Sequence, residues 1–151
     1  MGNRAVIAFT SEKRLTETNC ENTNNVVGTY LHWNGGRDSV EAFLTYCKIK
    51  GFRSPKSDLT YAIARFIQVV TNYFPDGLSV GVGTLKQLDC NNYDNGFYVV
   101  DGDWKIVKRL YNSSEQKQYP LIDMLIDIDM HQPKEMQLGT EKIKDLVADL
   151  E

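Results

Sequence analysis

The strongest candidate for chemistry in this chain is a run of six residues, Asn34-Gly35-Gly36-Arg37-Asp38-Ser39. It differs at one position from the SGGxDS loop with which adenylating enzymes grip pyrophosphate. Such a loop works because a strand delivers glycines to a helix N-terminus, whose free N–H groups and dipole favour phosphate. Here Asn34 replaces the first serine, and a hydroxyl is lost. The other reading is a plain corner, where Asn34-Gly35-Gly36 takes positive φ inexpensively and Asp38 or Ser39 caps the following helix. The corner is favoured, because a second helix follows the first where a phosphate-loop fold needs a parallel crossover strand.

Two further groupings have the residue types for binding. His32-Trp33 with Arg37 suits a ledge on which a base stacks while an arginine pairs a phosphate. The loop Asp89-Cys-Asn-Asn-Tyr-Asp-Asn95 faces a hairpin whose outgoing strand carries Lys105, Lys108 and Arg109. Asparagine amides read base edges or ribose hydroxyls, and arginine holds phosphate bidentately. Turn chemistry accounts for the same asparagines, and a charged strand edge that discourages stray pairing accounts for the same cations.

No catalytic set accompanies these groupings. The sequence has no HExxH, no GxxxxGK[ST], and no serine or cysteine with a local histidine. Cys20, Cys47 and Cys90 are too scattered for a disulfide framework or a metal knuckle, and His32 and His131 lie far apart. Carboxylates such as Glu41, Asp123 and Asp127 fall at the spacing of solvated helix faces. Polar clusters without a reactive centre point to a binding protein rather than an enzyme, with no cofactor and no metal.

The elements that must position these residues follow from periodicity. Arg4–Phe9 and Val26–Trp33 read as strands, and Val40, Phe43, Leu44 and Cys47 mark one face of a helix stopped by Gly51. Asp58 caps a second helix, whose apolar stripe runs from Leu59 to Phe74, and Pro75-Asp76-Gly77 ends it. Strands follow at Leu78–Val82, Phe97–Val100 and Trp104–Leu110, the last two joined by Asp101-Gly102. Leu121–Met130 and Thr140–Leu150 read as helices. The order β-β-α-α-β-β-β-α-α predicts an α+β fold with a mostly antiparallel, Greek-key-like sheet of about five strands and flanking helices. Residues 1–118 form the ligand-binding domain in this reading. Residues 119–151 form an acidic helical segment, either part of that domain or an oligomer interface.

Composition narrows the function classes. The chain has 151 residues, the length of one domain, with 42% hydrophobic and 25% charged residues. The sequence shows no apolar run of membrane-helix length and no signal-peptide or myristoylation pattern, so a cytosolic place is expected. The net charge of −3 is uneven: eight acids against three lysines from Tyr119 onward give −5, leaving +2 for residues 1–118. A mildly basic body with an acidic tail argues against duplex DNA, which needs a strong basic stripe, and suits a small anionic ligand held by one or two arginines.

Three segments carry a resemblance to a known family: Gly2–Phe9, Tyr30–Leu44 and Leu78–Val82. With them the chain resembles the first type of Thoeris anti-defence protein, carried by phages of Gram-positive bacteria. The resemblance spans roughly residues 2–110. It implies a sponge that binds, without degrading, the cyclic ADP-ribose isomer made by TIR-domain immune sensors, in the cytoplasm of the infected host. It also implies assembly as a dimer or hexamer, and capture by some members of cyclic di- or trinucleotides. By position, the resemblance implies ligand contacts at Asn92, Arg109, Val82, Leu88 and Asp89, and a second anionic site at Arg53 and Lys56. The alternative is a nucleotide-using enzyme with a degenerate SGGxDS loop.

Overall fold

The computed structural model describes residues 2–10, 15–75, 78–112 and 119–150. Five strands, β1 (Ala5–Phe9), β2 (Val27–Leu31), β3 (Val80–Thr84), β4 (Phe97–Val100) and β5 (Ile106–Leu110), form one open sheet in the order β3-β2-β1-β4-β5. Four helices accompany it: α1 (Arg37–Ile49), α2 (Leu59–Tyr73), α3 (Leu121–Met130) and α4 (Thr140–Leu150). The α+β class and the element order match the expectation. The sheet is mixed, however, because β1 and β4 pair in parallel while the other three pairings are antiparallel. AVIAF and FYVV are apolar on both faces, which suits a central pair covered on both sides but does not set the direction of their pairing.

One face of the sheet supports the main core. Ala5, Ile7, Phe9, Leu31, Tyr98 and Val100 meet buried side chains from all four helices. Phe9 sits edge-on between Phe66 and Trp104, with centroids at 5.1 and 5.5 Å. The Cys47 thiol lies within this core, where burial pushes its pKa up. On the opposite face Val6, Ala8, Phe97 and Val99 pack against Leu15, Cys20, Leu85 and Cys90.

The C-terminal helices turn their apolar stripes inward. Met124, Leu125, Ile128, Ile143 and Val147 are buried in the main core, so these side chains are not a free oligomer interface. Asp129 is 3% exposed and accepts from the Tyr46 hydroxyl at 2.6 Å and from the N–H groups of Leu138 and Gly139 at 2.8 and 2.9 Å. It thereby ties the turn before α4 to α1. The proposed break at residue 118 and the residues Asp76-Gly77 lie outside the described residues. Among those described, no helix is long and apolar enough to cross a membrane.

Candidate functional site: a cleft of aromatic and asparagine side chains

The end of the sheet where β2 and β5 finish and β1 and β4 begin carries a cleft of about 600 Å³. Five separate stretches of chain reach it: Gly2 and Asn3 before β1, Trp33 and Asn34 after β2, Tyr93 to Asn95 before β4, Asn112 after β5 and Tyr119 before α3. Trp33, Tyr93 and Tyr119 are 46%, 89% and 44% exposed, three large rings left to solvent at one place. Asparagine amides alternate with them. Planar π faces beside paired donors and acceptors are the equipment for holding a flat heteroaromatic ring and reading its edge.

The glycine corner builds one wall. Asn34 itself takes the left-handed conformation, at φ 56°, while Gly36 is extended and precedes α1 as its N-cap. Gly35 is needed for close approach: a Cβ there would stand 2.5 Å from the Asn3 carbonyl oxygen and 2.7 Å from the Ala5 Cβ. Its N–H donates to Asn3 O at 2.8 Å, and its carbonyl accepts from the buried Tyr98 hydroxyl at 2.8 Å. The helix cap expected of Asp38 or Ser39 is therefore corrected to Gly36. Asp38 instead accepts from Ser39 N and Tyr119 N, each at 2.8 Å. A carboxylate at the first turn of α1 satisfies the helix dipole from within the chain and repels phosphate. That arrangement weighs against a pyrophosphate loop.

The opposite wall is the loop 89–96, and Asn92 is its organiser. Its side chain is fully buried; Nδ2 donates to the carbonyls of Asp89 and Gly96, and Oδ1 accepts from the N–H groups of Asp94, Asn95 and Gly96. Tyr93, next in sequence, is held in the left-handed region at φ 63°. Gly96, at φ 73°, passes so close to β5 that a Cβ would strike the Leu110 carbonyl.

Asp94 is the charged member of the described lining. Arg4 grips it twice, through Nε at 2.8 Å and through its backbone N–H at 3.0 Å, and Asn112 donates to its carbonyl. The Arg4 guanidinium holds the Asp94 carboxyl below the usual carboxylate range. A depressed folded-state pKa gives stability that is present above the unfolded value, about 3.9, and lost as pH falls through the folded one. The melting-temperature gap between wild type and Arg4→Gln is accordingly expected to be constant from about pH 8 to 5 and to shrink below about pH 4. Thermal melts across that range check it.

The residues singled out from the sequence are distributed differently. Asn92 is turned inward, so its amide shapes the loop and offers no atom to a ligand. Arg109 lies over the Tyr98 ring at 4.7 Å and donates from Nε to Asn95 O at 3.1 Å, supporting the cleft wall from behind. Both therefore converge on Asn95 rather than on open space. Val82, Leu88 and Asp89 meet at a separate hollow of about 470 Å³ beside β3, with Tyr30, Gly81 and Gln87. Arg53 pairs Asp58 at 3.3 Å and stacks on Tyr61, and the exposed Lys56 binds Gly102 O through its backbone N–H. Of the proposed ledge, His32 accompanies Trp33 edge-on at 5.2 Å, whereas Arg37 pairs Glu41 at 2.8 Å. Asn3, Asn112 and Tyr119 had no local signal, since each joins the cleft only through the fold.

Fold and cleft together define a small α+β domain with an aromatic, amide-rich cleft at one end of a mixed sheet. The chain matches no protein-family model, no curated protein and no solved structure.

Proposed function

We propose that this chain is a non-catalytic binder that captures a nucleotide-derived signal in the cleft beside Trp33, Tyr93 and Tyr119. The observation that carries the reading is the convergence of three exposed rings with Asn3, Asn34 and Asn112 over the buried Asn95, and two of these residues, Asn34 and Tyr93, sit at positive φ. Left-handed backbone costs a tyrosine about 1–2 kcal/mol, and at Tyr93 it accompanies a ring that stands 89% exposed at the cleft. No lysine or arginine lines the cleft among the described residues. The base and ribose of a ligand therefore face its floor, with phosphates directed outward. Taken with the resemblance, the ligand is the cyclic ADP-ribose isomer of TIR-domain sensors, with cyclic oligonucleotides as further candidates. The protein then acts in the infected cell as a sponge.

The test is recovery. Purified protein is incubated with the isomer, washed and heated, and the released small molecule is identified by mass spectrometry. Intact isomer in near-stoichiometric yield is expected. Release of linear ADP-ribose would replace sequestration with hydrolysis, and no retained nucleotide would remove the ligand assignment.

A further inference from the structure

Two residues that line the cleft, Asp94 and Asn3, each present one polar atom that the protein itself does not use. Asp94 Oδ2 accepts both Arg4 bonds, from Nε and from the backbone N–H. Asp94 Oδ1 has no hydrogen-bond partner among the described residues. The carboxyl is ionised in the neutral range, since Arg4 holds it below the ordinary carboxylate values. An ionised carboxylate only accepts hydrogen bonds, so Oδ1 offers the cleft a charged acceptor.

The orientation of the Asn3 amide follows from groups that have only one hydrogen-bonding sense. Arg109 only donates, and its Nη2 lies 3.3 Å from one end of the Asn95 amide, which must therefore be the oxygen. The other end carries the hydrogens, and it meets the Arg4 carbonyl, which only accepts, at 3.1 Å. That same nitrogen donates to Asn3, so the Asn3 atom facing it is Oδ1. Asn3 Nδ2 is left as a donor with no partner among the described residues. Asn95 is 2% exposed and both ends of its amide are engaged, so the relay is locked from behind.

The two atoms are brought together at Asn95, which Asp94 precedes in the chain and to which Asn3 is bonded. A fixed acceptor with a fixed donor suits two neighbouring hydroxyls, one giving its proton to the carboxylate and the other accepting from the amide. We propose that Asp94 and Asn3 are specificity-determining residues of the cleft and bind the vicinal hydroxyl pair of a ribose, while the base attached to it stacks on the exposed rings. This role rests on the nucleotide reading of the cleft and adds which part of the ligand its polar atoms select. The carboxylate repels a phosphate from the same place, in keeping with a described lining that holds no lysine or arginine. A ligand without the hydroxyls leaves the carboxylate and the amide unpaired beneath it, and sites built to bond a hydroxyl discriminate strongly for that reason.

Adenosine and its dideoxy analogue, which lacks the vicinal hydroxyls, serve as probes. Binding is followed by the indole N–H signals of Trp33, at the cleft, and Trp104, in the core. The wild type is expected to bind adenosine roughly tenfold or more tightly than the analogue, with the larger shift at Trp33. Equal affinity for the two nucleosides would overturn the role of Asp94 and Asn3 and leave the nucleotide reading standing. No shift with either nucleoside would remove both. Two nearly isosteric variants then probe the pair itself. In Asp94→Asn the amide oxygen must face Arg4, so the free atom becomes a donor; in Asn3→Asp the free atom becomes an acceptor. Each single variant is expected to lose the preference for adenosine. The double variant Asn3→Asp/Asp94→Asn restores one donor and one acceptor in exchanged places, which hydroxyls accommodate by rotating their O–H bonds. It is expected to regain the preference. A base edge has fixed donors and acceptors, so a double variant that melts as a folded protein yet binds no better than the singles would overturn the hydroxyl assignment. Where a variant fails to fold, the comparison of the two nucleosides in the wild type still decides.

Discussion

Replacing Asn92 by alanine is expected to destabilise the free protein by about 3 kcal/mol, lowering its melting temperature by roughly 10 °C. The side chain is fully buried and engages Asp89 O, Gly96 O and the N–H groups of Asp94, Asn95 and Gly96. Asn95 N–H keeps a partner in the mutant, because it also donates to Arg4 O at 3.0 Å. The Gly96 and Asp94 N–H groups lose the acceptor supplied by residue 92, and each orphaned group carries its own penalty, whereas Gly96 O keeps the Val6 N–H at 3.0 Å. Ligand binding falls as well, but as a consequence of a loosened loop. The discriminating readout is therefore a melt without ligand. A residue that only touches ligand would leave that melt unchanged, whereas loss of the loop organiser moves it strongly. Asn92→Asp keeps the acceptor, loses both donated bonds and buries a charge, so it is expected to be no better than alanine.

The second large effect has the opposite sign on stability. Tyr93→Gly is expected to leave the melting temperature unchanged or slightly raised while weakening ligand binding by at least tenfold. Tyr93 has φ 63° and an 89% exposed side chain, so it contributes little packing and occupies a backbone region that glycine adopts without strain. Relief of that strain, about 1 kcal/mol, offsets the greater chain entropy of glycine in the unfolded state. Stacking a base on an aromatic ring contributes about 1–3 kcal/mol, which sets the expected drop in affinity. A mutant that melts much earlier and binds as before would show Tyr93 to be a structural residue. Thermal melts and titration calorimetry on one preparation give both numbers.

The sequence already contained the elements and much of the core. Asp58 caps α2 by accepting from Tyr61 N at 3.2 Å, and the stripe behind it buries Ala62, Phe66, Val69 and Val70. Phe97–Val100 and Leu121–Met130 form as the periodicity predicts. The parallel β1–β4 pairing was not legible, because a short strand apolar on both faces carries no mark of its neighbour's direction. Trp104 at φ 64° likewise lengthens the turn expected at Asp101-Gly102, where Asp101 Oδ1 accepts from both Asp103 N and Lys105 N.

For the site, residue type was informative and orientation was not. The loop Asp89–Asn95 was recognisable as polar and specialised, yet nothing in its order says that Asn92 faces inward and Tyr93 outward. Arg109 was recognisable as an anion ligand in type; only the structure shows it spanning from the Tyr98 ring to Asn95. The corner Asn34-Gly35-Gly36 resembled a phosphate loop through its glycines. Its geometry makes Gly35 a close-packing residue and sets Asn34 beside Trp33 at the rim of the cleft.

The most direct measurement is a calorimetric titration of the cyclic ADP-ribose isomer into the wild type and into Trp33→Ala. Trp33 is exposed and fills no core position, so its loss leaves the fold in place. Binding by the wild type at submicromolar concentration, with affinity reduced at least tenfold in Trp33→Ala, is the predicted result. An isomer that does not bind the wild type, or that binds both proteins equally, would contradict the assignment of this cleft.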